Sequence, residues 1–206
     1  MSSANNQVRP DLQTICEWIK PKSRILDLGC GDGTLLAMLK EERDVNGYGL
    51  EIEISNIVKC VNTGVNAIQA DLNAGLSDFD DNAFDYAVMT QAIQAVERPD
   101  RLLNDMLRVG REVIVTFPNF GHIRSRLQLF FGGHMPVTPT LPSKWFNTQN
   151  IHLCTLQDFE ALCADNGINV LQRTVVDRDH KTSLGMKLFP NLLGEVAIYR
   201  LQRKTA

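Results

Sequence analysis

Leu26-Asp27-Leu28-Gly29-Cys30-Gly31-Asp32-Gly33 is the stretch of this sequence whose residue types are suited to holding a charged small molecule. Glycines at alternate positions let the main chain turn sharply and let a ligand approach it without meeting a Cβ. The spacing is Gly-x-Gly-x-Gly, and Thr34 stands where a dinucleotide site would carry the last glycine of Gly-x-Gly-x-x-Gly. Asp27, two places before the first glycine, points the same way, because a carboxylate repels a pyrophosphate but pairs with an ammonium group. S-adenosylmethionine carries an ammonium and a sulfonium and no phosphate. The turn therefore points to that molecule, or to its product S-adenosylhomocysteine, rather than to a dinucleotide. Cys30 and Asp32 are expected to face out of the turn, with Cys30 a small filler and not a nucleophile, since no base lies near it in sequence.

Two further carboxylates fall at comparable places. Glu51 closes the apolar stretch Asn46–Leu50, at a height from which it can accept hydrogen bonds from a ribose diol. Glu53 lies beyond that strand end, and Ile52 between them joins the candidate contacts. Asp71 closes Val65–Ala70 and could accept from an adenine amino group with Leu72 against the ring, although Asp also simply ends strands. Gln91, after Phe84–Thr90, is placed to line the pocket near a sulfonium. The candidate ligand contacts are thus Asp27, Gly29, Cys30, Gly31, Gly33, Glu51, Ile52, Asp71, Leu72 and Gln91. No Asp, Glu or His follows Thr90 within the motif Gln91–Gln94. No catalytic residue is assigned, although methyl transfer can run largely on proximity and alignment.

These residues need a scaffold that delivers several strand ends to one edge. Strands predicted at Arg24–Leu28, Asn46–Leu50, Val65–Ala70, Phe84–Thr90 and Glu112–Phe117 alternate with helical patterns, which implies right-handed crossovers and a parallel sheet covered on both faces. A first helix is read at about Asp11–Lys20, another begins with Ser55 as cap and runs to about Asn62, and Pro99 opens a fourth. Thr155–Asn166 is a further helix with Thr155 as cap, and Val170–Val176 and Val196–Leu201 read as a closing pair of strands. The sum is seven strands and about six helices in one α/β domain covering residues 1–206.

The bulk properties agree with a single ordered domain. The chain has 206 residues, 44% apolar, with a net charge of −3, which gives no sign of a nucleic-acid partner. Met1–Pro10 is polar and unlike a signal peptide, and no apolar run approaches the roughly 18–20 residues that span a bilayer. Five scattered cysteines without a Cys-x-x-Cys pair suit the reducing cytoplasm. Whether the chain forms a homo-oligomer is left open.

Residues 118–154 separate the fifth strand from the Thr155 helix, far more than an ordinary connection, and such excess is usually functional. The segment reads as a short helix to about Phe131, a Gly132-Gly133 break and a proline-stiffened remainder. At the carboxyl end of strand five it must overhang the ligand cleft, as lid, acceptor pocket or docking surface. His122, His134 and His152 lack metal-ligand spacing, so no metal is assigned, and His152 is expected to be partly buried and hydrogen-bonded. The apolar run Leu184–Gly194 either folds onto the core or presents an interaction patch.

The glycine turn with Asp27 and Glu51 resembles the class I S-adenosylmethionine-dependent methyltransferases. That likeness implies a Rossmann-like sheet of order 3-2-1-4-5-7-6 with strand seven antiparallel. Gly-Tyr-Gly-Leu-Glu, Met-Leu-Arg-Val-Gly-Arg, Phe-Pro-Asn-Phe-Gly-His, Met-Pro-Val-Thr, Asn-Ile-His-Leu-Cys-Thr and Pro-Asn-Leu-Leu-Gly-Glu sharpen it. Together they are similar to the MetW family of methionine biosynthesis over Arg24–Leu201, and Gln91–Ala95 looks like that family's version of the motif after strand four. The resemblance implies a role beside homoserine O-acyltransferase. No Gly-x-Ser-x-Gly elbow occurs in the chain, so a serine acyl transfer of the α/β-hydrolase type would belong to that partner. A free-standing methyltransferase acting on a small molecule is the alternative, and a nucleotide-dependent oxidoreductase a distant third.

Overall fold

A computed structural model describes residues 10–177 and 183–204; the polar stretch before Pro10 lies outside them. The order is α1 (Pro10–Trp18), β1 (Arg24–Leu28), α2 (Thr34–Arg43), β2 (Asn46–Glu51), α3 (Ile54–Asn62) and β3 (Asn66–Gln69), then β4 (Phe84–Thr90), α4 (Pro99–Val109) and β5 (Gly110–Pro118). There follow α5 (Ile123–Gly132), α6 (Leu156–Asp165), β6 (Ile168–Val176), α7 (Leu184–Leu188), α8 (Pro190–Leu193) and β7 (Val196–Arg203). Turns of 3-10 helix at Leu72–Ala74 and Ile93–Ala95 follow β3 and β4.

The seven strands form one sheet in the order β3-β2-β1-β4-β5-β7-β6. The pairs from β3 to β5 are parallel, and β7 runs antiparallel to both β5 and β6. Central strands are apolar almost throughout because helices cover both faces. The pleat sends alternate residues to opposite sides. Leu26, Leu28, Met89 and Phe117 enter one core with α4 and α6, while Ile25, Val88 and Ile114 enter the other with α1 and α2. In the first core Phe117, Phe159 and Tyr199 pack as a trio with ring centroids 4.8–5.8 Å apart. The Tyr199 hydroxyl donates to Glu160 at 2.9 Å, which satisfies the polar end of a buried ring.

Three expectations need correction. The first helix runs from Pro10 to Trp18, so its last turn is shorter than the apolar spacing through Ile19 suggests, although Ile19 is still buried. Ser55 does not cap α3: Glu53 occupies the cap position and the helix starts at Ile54. The Glu51 carboxylate takes the amides of Ile52 and Glu53, so the chain turns before it reaches Ser55. The helices outnumber the expected six, because Leu184–Gly194 folds into the short α7 and α8. That run divides its apolar residues, with Met186 buried and Leu184, Leu188 and Phe189 exposed.

Thr155 does cap α6. Its side chain accepts from Asp158 N at 3.2 Å and Asp158 Oδ2 accepts from Thr155 N at 3.1 Å, forming a capping box. Thr155→Ala should cost about 1 kcal/mol and lower the melting temperature by roughly 2–4 °C, read by scanning calorimetry.

Candidate functional site

The parallel register sets Leu28 beside Leu50, so the turn after β1 lies against the end of β2. Gly29 N and Cys30 N both donate to Leu50 O, at 2.8 and 3.1 Å. Glu51, itself buried, then grips the turn from below. Its Oε2 accepts from Gly31 N at 2.8 Å, and its Oε1 accepts from Ile52 N at 2.9 Å and Glu53 N at 3.0 Å. Gly31 has φ +57°, and a Cβ built on it would meet no atom within 4 Å. The turn therefore presents an open cradle lined by main chain, and only glycine adopts that backbone without strain.

Asp27, the last residue but one of β1, is only 1% exposed. A Cβ on Gly29 would come within 3.2 Å of Ala92 and 4.0 Å of Leu72, so these two side chains close the near wall. The donor set suits an adenosyl ligand bearing an ammonium group: a buried carboxylate, a bare main-chain cradle, and an apolar side chain beside it. A carboxylate offers about four acceptor positions. Three amides already use Glu51, leaving room for about one hydroxyl donor and not the two of a full ribose diol.

The other candidate residues divide. Cys30 does not face out of the turn. It is buried under Gly49, where an added Cβ would overlap its sulfur, and its Sγ lies 3.9 Å from Cys60 Sγ. Burial, with Asp27 adding to it, pushes the Cys30 thiol up, so it stays a neutral packing group. Asp32 does face solvent, where Thr34 Oγ1 and N donate to it at 2.6 and 3.1 Å and hold its carboxyl below the usual range. Asp71 accepts from Asn73 N at 2.9 Å, capping the 3-10 turn that carries Leu72. Its role in the fold is to shape that turn. Ile52 is exposed at the rim.

Gln91 has φ +53°, unusual for a residue with a side chain. Its amide donates to Thr116 O at 2.9 Å, and its Nε2 to Asp11 Oδ2 at 3.2 Å. Asp11 was missed in the sequence, where an acidic residue in a first helical turn is unremarkable; only the fold brings it across 80 positions, fully buried, to Gln91. Gln91 also lines a cavity of about 510 Å³ with Gln94, Phe120, Met135, Trp145 and Asn150, and no ionisable side chain is among its lining residues. The 118–154 segment supplies most of the lining of this cavity. It is held there by Gln94 O, which accepts from Ile151 N at 2.8 Å and His152 N at 3.0 Å. His152 is exposed, contrary to expectation, although its Nε2 lies 3.2 Å from Glu97 O. His122 caps α5 by accepting from Arg124 N, and burial lowers its pKa.

The fold is that of a Rossmann-like, class I S-adenosylmethionine-dependent methyltransferase. An S-adenosylmethionine-dependent methyltransferase from Archaeoglobus fulgidus superposes with a TM-score of 0.70 at 15% identity, over 95% of this chain and 93% of that one. The [4+2]-cyclase SpnF gives 0.66 at 17% identity over 95% and 81%. The chain belongs to the MetW family: the model for methionine biosynthesis protein MetW matches residues 9–201. The bifunctional methionine biosynthesis protein MetXA/MetW of Rhodopirellula baltica is 33% identical over 203 residues, 94% of this chain. The chain spans about a third of that curated relative's length.

Glu51→Gln keeps the shape of the side chain but sets an NH2 against main-chain N–H groups. It should destabilise the protein by about 1–3 kcal/mol, measured by urea unfolding, whereas Asp32→Asn in the exposed part of the turn should cost less than half as much.

Proposed function

We propose that this chain is the ligand-binding companion of a homoserine O-acyltransferase in methionine biosynthesis, holding S-adenosylmethionine or S-adenosylhomocysteine at the Asp27–Gly33 turn. The observation that carries the partnership is the Rhodopirellula baltica relative, which joins MetXA and MetW in one polypeptide of which this chain matches one third. The missing nucleophile elbow supports the same division, with acyl transfer performed by the partner.

In this reading Asp27 pairs with the ammonium group, and the space above Gly31 takes the ligand against bare main chain. The remaining acceptor position of Glu51 takes one ribose hydroxyl, Leu72 packs on the adenine with Asp71 and Ile52 at its edge, and Gln91 faces the sulfur. A protein that binds the methyl donor made from methionine, beside an early enzyme of the route, reports supply to that enzyme. It does so in the cytoplasm, where five free thiols persist. Among the described residues no helix is long and apolar enough to cross a membrane.

The cavity beside Gln91 favours a second reading, a small-molecule methyltransferase whose acceptor sits there. Without a base in its lining, that acceptor must already be nucleophilic at neutral pH.

One experiment separates the two. The chain, immobilised, is exposed to cell extract with and without S-adenosylmethionine, and acyl transfer to homoserine is assayed with and without the chain. Capture of the acyltransferase and at least tenfold faster acylation support the companion role; equal acylation without the chain overturns it. Methyl transfer from labelled donor to an extract metabolite supports the second reading. Gly31→Arg, which fills the cradle, should abolish S-adenosylhomocysteine binding in calorimetry under either.

A further inference from the structure

Ten of the exposed large apolar side chains fall in one segment, between positions 127 and 153. Phe130 and Phe131, at the end of α5, are 81% and 78% exposed, and Trp145 is 75% exposed. Leu127, Phe146 and Leu153 are exposed beside them in sequence. The two phenylalanines meet edge to face at 5.0 Å, and Trp145 and Phe146 do so at 5.7 Å. Each pair keeps its outer surface in water. Aromatics are among the residue types that dominate interface energetics, and exposed apolar side chains concentrated in one segment mark an interaction site.

The same segment is nearly uncharged. Between positions 127 and 153, Lys144 is the single Lys, Arg, Asp or Glu. The cavity below it shares Met135, Trp145 and Ile151 with the exposed face and has no ionisable lining. A partner covering the face would therefore meet one ammonium, Lys144, which lies 5.9 Å from the centroid of the Phe146 ring, and a large apolar side chain of the partner has a concave seat next to Trp145. A second exposed apolar set runs from β2 through α3 to β3, made by Tyr48, Ile52, Ile54, Val58, Val61 and Ile68. It has one aromatic residue against four in the first segment, and none of its side chains lines the Gln91 cavity.

We infer that the face formed by the end of α5 and residues 133–153 is where the acyltransferase seats, with an apolar side chain of that partner entering the Gln91 cavity. This rests on the partnership proposed above. A partner of a different sequence is favoured over a second copy of this chain because the Rhodopirellula baltica relative carries its other two thirds, named MetXA, on the same polypeptide, at fixed one-to-one stoichiometry. Docking through neutral apolar surface also predicts an association that hardly weakens with salt, unlike one built on ion pairs.

The test uses the full chain and the purified acyltransferase of the same source, mixed and followed by size-exclusion chromatography and calorimetry at low and high salt. Three variants are compared: Phe130→Asp/Phe131→Asp, Trp145→Asp, and Val58→Asp in the other patch. The expected result is at least tenfold weaker association for the first two, no change for the third, and little salt dependence for the wild type. All variants should keep wild-type thermal stability and S-adenosylhomocysteine affinity, which separates lost docking from lost folding. If the wild type does not associate, the partnership itself fails and this inference falls with it. If it associates and the aromatic variants do so equally well, or Val58→Asp alone is defective, the partnership stands and the assigned face is wrong. A wild-type homodimer broken by the aromatic variants, with acyltransferase binding intact, would assign the face to a second copy and overturn the inference.

Discussion

One buried carboxylate ties the turn after β1 to the end of β2. Glu51 collects the amides of Gly31, Ile52 and Glu53, three main-chain donors that would otherwise point into a cleft where no strand or helix continues. Buried donors left without acceptors are costly. The clamp therefore sets the shape of the cradle, the point where α3 begins, and the depth at which Asp27 sits. It also explains why Gly49 is glycine. Cys30 is pressed down onto β2 by the same turn, and its sulfur fills the space that a Cβ at Gly49 would need.

The fold positions this cradle but does not choose the chemistry. Parallel strands bring their carboxyl ends to one edge, and a switch point between neighbouring strands opens a crevice there in any open α/β sheet. Structures with this architecture carry more than one reaction, as the superposition with a [4+2]-cyclase illustrates. Gln91 lines a cavity with no ionisable side chain. Amides and aromatics line it, and no group there is able to move a proton at neutral pH. Binding and recognition are the properties such a lining supports most directly.

The segment between β5 and α6 is fastened at both ends of its path. Asn119 donates to Asn191 O and Gly194 O at 2.9 and 2.8 Å, which ties its start to α8, and Gln94 O receives two amides near its end. Between these points Gln128 exchanges hydrogen bonds with Val137, closing the turn after α5. These hydrogen bonds fix the path of a long connection on the protein side, while its aromatic side chains Phe130, Phe131 and Trp145 remain exposed.

Much of the architecture was legible in the residues. Apolar runs marked the central strands β1, β4 and β5, because a strand covered on both faces must be apolar along its length, while the edge strands β3 and β6 are largely exposed and were marked by their bounding residues. The glycine turn, Asp27 and Glu51 were legible for the same local reason, since backbone conformations with positive φ and strand-end carboxylates leave signatures within a few residues. The tertiary structure decided what those residues touch. It turned Cys30 inward, gave Glu51 three main-chain amides to hold, made Asp71 the cap of a 3-10 turn, and brought Asp11 to Gln91. Each of these depends on groups that meet only when the sheet is assembled. Periodicity within a segment reports which face of that segment is buried, and it carries no information about which distant residue will be waiting there.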